Sequence, residues 1–173
     1  MFHASCDYVL FCDASVSSKE KQALGAYLIL QDEEVAKTYS TNSISLQKFV
    51  EKSINYYRFA TRKSTEAELK TFLQALSKIP ISSKVSVFTD CQSLCDLLGA
   101  RRLKLERKNF KNSRGEELAH KDLYQAIFTL VDQYQVEVHK VKGHVPSRER
   151  RTKEEEIFSY VDRFSRSRLR EVL

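Results

Sequence analysis

The sequence predicts an α/β fold, a mixed sheet with helices packed on its faces. Three observations carry that prediction. Apolar, strand-like runs come first, and helical periodicities alternate with further strands later, as in a sheet covered by helices. The 173 residues are one domain's worth of chain, long enough to bury roughly 70% of the unfolded surface without a disulfide or metal staple. Apolar residues make up 42% and aromatics 10%, the usage of a globular protein.

The elements follow in order. Residues 8–12 are a short apolar run ending in Asp13 and read as a buried strand. Residues 23–30 read as a second strand, in which Gly25 marks a bulge or a close approach. Weak alternation over 34–41 suggests a third, and 44–60 suggests a short helix at 46–52 followed by a strand at 54–60. Leu69, Phe72, Leu73 and Leu76 follow helical spacing within 65–78, and Pro80 closes that helix. Residues 84–89 are a strand ending in Asp90, and 92–98 are helical up to Gly99. The basic stretch after Gly99 reads as another helix, 121–133 as a further one, and 135–141 alternates as a strand. A polar loop over 143–153 leads to a closing helix at 154–172, with Ile157, Val161 and Phe164 on one face. Strands 8–12, 84–89 and 135–141 are candidates for parallel neighbours, and no internal repeat is visible.

Composition excludes several function classes. Gly25, Gly99, Gly115 and Gly143 stand alone, so no Gly-rich phosphate loop exists. The longest apolar run, 23–30, is far too short to span a bilayer. The first residues carry no charged-then-apolar leader, which makes the reducing cytoplasm the expected location and free thiols the expected state of Cys6, Cys12, Cys91 and Cys95. Cys91 and Cys95 are spaced as one half of a helical metal site, but buried apolar thiols are the preferred reading. The net charge is +6 and uneven. Arg101, Arg102, Lys104, Arg107, Lys108, Lys111 and Arg114 face one nearby acid, Glu106; Arg148, Arg150, Arg151 and Lys153 form a second cluster, and Arg163, Arg166, Arg168 and Arg170 a third. Such clusters favour a polyanionic partner, nucleic acid above all, although any single one also fits a solvated helix face.

Four carboxylates carry the chemistry. Asp13 and Asp90 each follow an apolar strand, and parallel neighbours about 4.8 Å apart bring their ends side by side. Carboxylates that close repel each other. A divalent cation resolves the conflict, and hard oxygen donors select Mg²⁺ or Mn²⁺. Glu68 lies in the first turn of the next helix, and Asp162 on the last helix among Phe158, Val161 and Phe164. Four such ligands suit two ions about 3.5–4 Å apart, which stabilise the attacking and leaving oxygens of phosphodiester hydrolysis. Each acid also has an ordinary reading. Thr65 and Glu68 spell a capping box, Asp13 and Asp90 fit turn residues, and Asp162 fits an ion pair with a neighbouring arginine. His144 follows Gly143 on a loop, where it can shuttle a proton or simply face solvent.

Taken in order, these segments resemble type 1 ribonuclease H. Phe11-Cys12-Asp13-Ala14-Ser15 resembles the family's first aspartate motif, Ala67-Glu68-Leu69 its helical glutamate motif, and Phe88-Thr89-Asp90-Cys91-Gln92 its TDSQ segment. Val141-Lys142-Gly143-His144 matches VKGH, Tyr160-Val161-Asp162-Arg163 resembles the final aspartate helix, and 101–111 resembles the basic protrusion. The resemblance implies a ribonuclease H-like fold with a five-stranded mixed sheet and helices on both faces. It implies that Asp13, Glu68, Asp90 and Asp162 bind two Mg²⁺ (Mn²⁺ substituting) and that His144 assists proton transfer or product release. It implies an RNA–DNA hybrid as partner, cut in its RNA strand to leave 3′-hydroxyl and 5′-phosphate ends. Gln92 then falls at a minor-groove contact, and Arg101, Arg102, Lys104, Arg107, Lys108 and Lys111 hold the DNA backbone through salt-sensitive phosphate contacts. Ser15, Ser64, Thr65 and His120 complete the implied nucleic-acid contacts.

Departures from the family bear on substrate choice. Its Gly-rich turn is replaced by 16–21, Ser64 and Thr65 stand where an asparagine pair is usual, and His120 stands near an asparagine of the phosphate pocket. The Ser64 and Thr65 hydroxyls suit a sugar 2′-OH. The segments near 32–63 and 145–157 are longer than usual. One domain over 1–173, a monomer off the membrane, is the resulting expectation. Two alternatives stay open: a nuclease of this fold acting on other structured nucleic acid, and a non-catalytic binding module.

Overall fold

The apolar run from Val9 to Cys12 forms the middle of the sheet because it is buried on both faces, each residue being at most 2% exposed. Alternation sends Leu10 and Cys12 to one face and Val9 and Phe11 to the other. The computed structural model describes residues 6–143 and 146–173. Its elements are β1 (Tyr8–Ser17), β2 (Gln22–Gln31), α1 (Asp32–Ser40), α2 (Ser43–Ser53), β3 (Asn55–Ala60), α3 (Ser64–Leu76), β4 (Lys84–Thr89), α4 (Gln92–Leu98), α5 (Ala100–Arg107), α6 (Lys121–Val131), β5 (Gln135–Lys140) and α7 (Lys153–Glu171). A single 3₁₀ turn, Ser147–Glu149, precedes α7.

The sheet order is β3-β2-β1-β4-β5. β1 pairs antiparallel with β2 along its whole length, and β2 antiparallel with β3. β4 runs parallel to both β1 and β5, as expected. Leu69, Phe72 and Leu76 of α3 and Ile127 of α6 pack with Leu10 and Cys12 on one face. Leu46 and Val50 of α2 and Ile157, Phe158 and Val161 of α7 pack with Phe11 on the other. The predicted five-stranded mixed sheet with helices on both faces is therefore present.

Three local expectations are corrected. Residues 34–41 do not form a strand: α1 covers nearly all of them. Asp32, Glu33 and Glu34 sit in its first turn, where acids suit the helix dipole, and Gln31 N donates to Glu34 Oε2 at 2.9 Å. Val35 and Thr38 are its buried pair, a helical rather than an alternating spacing. Thr65 is not the N-cap of α3, since the helix already includes Ser64 and Lys63 occupies the cap position. The basic helix α5 stops at Arg107. Asn109 and Phe110 then take positive φ, which turns the Phe110 ring inward to 7% exposure.

Gly25 is the close approach its position in a strand suggested. A Cβ there would overlap Thr71 Oγ1 and lie 3.0 Å from both Thr71 Cγ2 and the Tyr57 ring. Thr71 is fully buried and its hydroxyl donates to Ala67 O at 2.8 Å, so it has little room to yield. Gly25→Ala is expected to destabilise the protein by about 1–3 kcal/mol. Denaturant unfolding checks this, and unchanged stability would mean that α3 does not press on β2 so closely.

Candidate active site

The parallel pairing of β1 with β4 ends at Phe11 and Phe88. Two residues further on lie Asp13 and Asp90, so the same register points them toward each other across the gap where the two strands part. Asp13 lies inside β1 rather than after it, because β1 continues to Ser17 paired with β2 alone. Asp90 directly follows β4, as predicted. Alternation puts Asp13 on the face of Phe11 and Asp90 on that of Phe88, the face covered by α7.

Glu68 enters from the opposite side, on α3. It lies in the second turn of α3, not the first. It makes no capping box; instead its Oε1 accepts from Ala14 N at 3.2 Å. Carboxylate oxygens of Asp13, Glu68 and Asp90 then lie within 4.8 Å of one another, the only such group among the described residues. Glu68 Oε2 is buried without a hydrogen-bond partner among them. Burial first, then the charges of Asp13 and Asp90, hold the Glu68 carboxyl well above the usual carboxylate range. Because this folded-state pKa is raised, the folded chain retains a proton that the unfolded chain has released. Stability without a cation therefore falls as pH rises from the ordinary carboxylate value toward the raised one. Three converging carboxylates and an orphaned oxygen fit a hard divalent cation. Gly143 leaves room for the Asp90 carboxylate, which a Cβ there would overlap.

Asp162 stands beside this trio rather than in it. It is 3% exposed and lines the same cleft of about 560 Å³. Its Oδ2 accepts from the Arg166 guanidinium at 2.5 Å, one turn along α7. The ion-pair reading of Asp162 is thus correct, and its charge still reaches Glu68. The sequence placed Arg166 only in a basic cluster and gave Ser165 no role: fully buried, Ser165 donates to Asp13 Oδ2. The signal for Ser165 was a polar residue within the buried stripe Phe158, Val161, Asp162, Ser165 and Leu169.

The expected nucleic-acid contacts divide. Ser64 and Ser15 line the acidic cleft, but the Ser15 hydroxyl is engaged by Ser165 at 2.9 Å. Thr65 is half-buried beside Ser64. Gln92 is exposed at the start of α4, bonded to Asp96 at 2.7 Å and to the Lys140 ammonium. His120 is half-buried at the N-cap of α6, edge-on to Tyr124. His144 lies outside the described residues. Arg101, Lys104, Arg107, Lys108 and Lys111 are exposed on the protrusion. Arg102 differs: it grips Asp132 through two bonds of 2.6 and 2.8 Å and stacks over Phe128. Arg102 therefore fastens α5 to the end of α6.

Neutralising Lys104, Arg107 and Lys108 together is expected to weaken nucleic-acid binding and flatten its salt dependence by roughly one unit of log–log slope per lost phosphate contact. Arg102→Ala is expected to leave that slope nearly unchanged and to lower stability by about 1–2 kcal/mol, through the lost paired bonds and stacking. Salt titrations of binding and denaturant unfolding separate the two. Equal slopes for wild type and the triple variant would make the protrusion a solvated face.

Cys6, Cys12, Cys91 and Cys95 are free. Burial, with Glu68 nearby, pushes the Cys91 thiol up to about 11, which makes it a poor thiolate ligand. No helix among the described residues is long and apolar enough to cross a membrane.

Solved structures share this architecture. The solution structure of the PFV RNase H domain superposes with a TM-score of 0.66 at 15% identity, covering 95% of this chain and 94% of that one. Foamy viral protease-reverse transcriptase in complex with RNA/DNA hybrid gives 0.66 at 12% identity, over 94% of this chain and 20% of that one. LC9-RNase H1, a type 1 RNase H with the type 2 active-site motif, gives 0.60 at 13% identity, over 84% and 67%. The fold is therefore that of ribonuclease H domains.

The sequence makes the assignment narrower. A family model described as RNase H matches residues 5–155. This chain belongs to the RNase H family. Ribonuclease H of Caldicellulosiruptor saccharolyticus is 31% identical over 78 residues, 44% of this chain and 54% of that protein. Ribonuclease H of Syntrophotalea carbinolica is 30% identical over 77 residues, 44% and 51%. The chain thus spans about half the length of these curated relatives. The family match contains Asp13, Glu68 and Asp90; Asp162 lies beyond it, and the fold of α7 brings it to the cleft.

Proposed function

We propose that this protein is a metal-dependent endonuclease that hydrolyses the RNA strand of RNA–DNA hybrids. The observation that carries the proposal is the convergence of Asp13, Glu68 and Asp90 at the parting of β1 and β4, in a chain of the RNase H family. These three side chains hold divalent cation, Mg²⁺ with Mn²⁺ as substitute, and Asp162 completes the acidic set from α7. Two ions bound there supply the charge that stabilises the attacking and leaving oxygens of phosphodiester hydrolysis. The chain's own residues do the rest. Arg166 and Arg170 line the cleft with the acids and offset their repulsion toward a phosphate. Ser64, Thr65 and Gln92 border the position of the hybrid's minor groove, and the exposed cations of the protrusion hold the DNA backbone. His144 serves proton transfer or product release. The protein works as a single domain and a monomer, and its free thiols suit the reducing cytoplasm.

The experiment is Mg²⁺-dependent cleavage of a labelled RNA–DNA hybrid beside duplex RNA, duplex DNA and single-stranded RNA. Selective cutting of the hybrid's RNA strand is expected. Equal or better cutting of another duplex, or no metal-dependent cutting, would overturn the proposal.

A further inference from the structure

Asp13 is held by a polar relay between β1 and α7. Ser165 of α7 is 0% exposed, and its hydroxyl donates to Asp13 Oδ2. A hydroxyl has one proton to give. With that proton on the carboxylate, the Ser15 hydroxyl, 2.9 Å away, is the donor to Ser165 Oγ. The direction is thereby set: Ser15 to Ser165 to Asp13. The alternative acceptor for Ser165 is the Asp162 carbonyl at 3.0 Å, a neutral group that competes poorly with a carboxylate. The relay crosses from β1 to α7 and back, joining residues 150 and 152 positions apart.

We infer that Ser165 is a positioning residue for Asp13 as a cation ligand, and that Ser15 acts through it. The inference rests on the proposed metal site but not on its substrate. One Asp13 oxygen is occupied by the Ser165 proton, which limits the rotation of the carboxylate beside Glu68 and Asp90. Partners of this kind, behind a ligand, typically change metal affinity 10–100-fold when removed. Ser15, which lines the cleft, is accordingly also a support of the site.

The test is calorimetric titration of the full chain with Mn²⁺ and Mg²⁺, without nucleic acid, together with the melting temperature of each variant in EDTA. Ser165→Ala is expected to weaken cation binding about tenfold, and Ser165→Thr, which keeps the hydroxyl, to restore most of it. Ser15→Ala is expected to weaken binding less, and to add nothing on top of Ser165→Ala, because both act along one relay. In hydrolysis assays the Mg²⁺ activation midpoint should rise while KM for the hybrid stays constant. Ser15→Ala also covers the case in which Ser165→Ala does not fold. Wild-type cation affinity in folded Ser165→Ala, or in Ser15→Ala, would overturn the inference, as would a wild-type chain that binds no divalent cation. A wild-type chain that binds cation yet spares the hybrid would sink the proposed substrate and leave the relay standing.

Discussion

Asp13→Asn is expected to abolish metal-dependent hydrolysis, by at least about a thousandfold, or roughly 4 kcal/mol of barrier. The asparagine keeps the shape of the side chain and an acceptor for Ser165, so the fold is retained. What goes is one of three charges whose oxygens lie within 4.8 Å. Without a cation that charge is unfavourable, because it adds to the repulsion that raises the Glu68 carboxyl. The variant should therefore be more stable than wild type in EDTA, by about 1 kcal/mol. It should lose the rise in melting temperature that Mg²⁺ gives wild type through linkage. Hybrid binding should persist, since repulsion toward phosphate is reduced. Opposite changes in stability and activity mark a site held together by its cation. A variant that hydrolyses normally, or that is less stable than wild type in EDTA, would remove Asp13 from that role.

Gly143→Ala is the second large effect, and it should fall on function rather than stability. The added methyl would occupy the place of the Asp90 carboxylate. Asp90 directly follows β4 on the rim of the cleft, and the clash falls on the end of its side chain rather than on backbone. Its displacement pulls one oxygen out of the trio. The expected outcome is a melting temperature close to wild type, with activity down by about a hundredfold, as for other misplaced catalytic groups. Cation affinity should fall with it. Near-normal activity would mean that the backbone at Gly143 yields instead of Asp90.

The reach of the sequence follows the range of the interactions involved. Strands β1 and β4 were readable because runs of buried residues announce them locally, β5 because Val136 and Val138 alternate with exposed neighbours, and the aspartates after Cys12 and Thr89 marked where the sheet collects charge. Glu68 was readable from its helix, but not its hydrogen bond to Ala14, 54 residues away in the chain. The 34–41 segment was misread because the buried pair of so short a helix imposes little pattern against a strand's alternation. Arg102 looked like one of seven equivalent cations. Its grip on Asp132, 30 residues on, depends on how α5 docks against α6, which no local pattern contains. Ser165 had no role in the sequence, and Arg166 stood there only as one cation of a cluster, for the same reason. Their roles exist only once α7 has crossed the sheet next to Asp13.

The unbroken ladder between β1 and β2 has a consequence for how this protein can fail. Asp13 is opposite Ala26 because ten successive residues of the two strands agree on one register. A hairpin slipped by one residue would turn Asp13 to the α3 face and send Cys12 or Ala14 toward α7. Such a chain could keep much of its secondary structure and still bring no carboxylate to Ser165. The choice between a working and an inert molecule is thus tied to the register set across the connection over 18–21, where Lys21 adopts a positive φ. An insertion in that connection would be tolerated or not according to whether it preserves odd and even positions along β1.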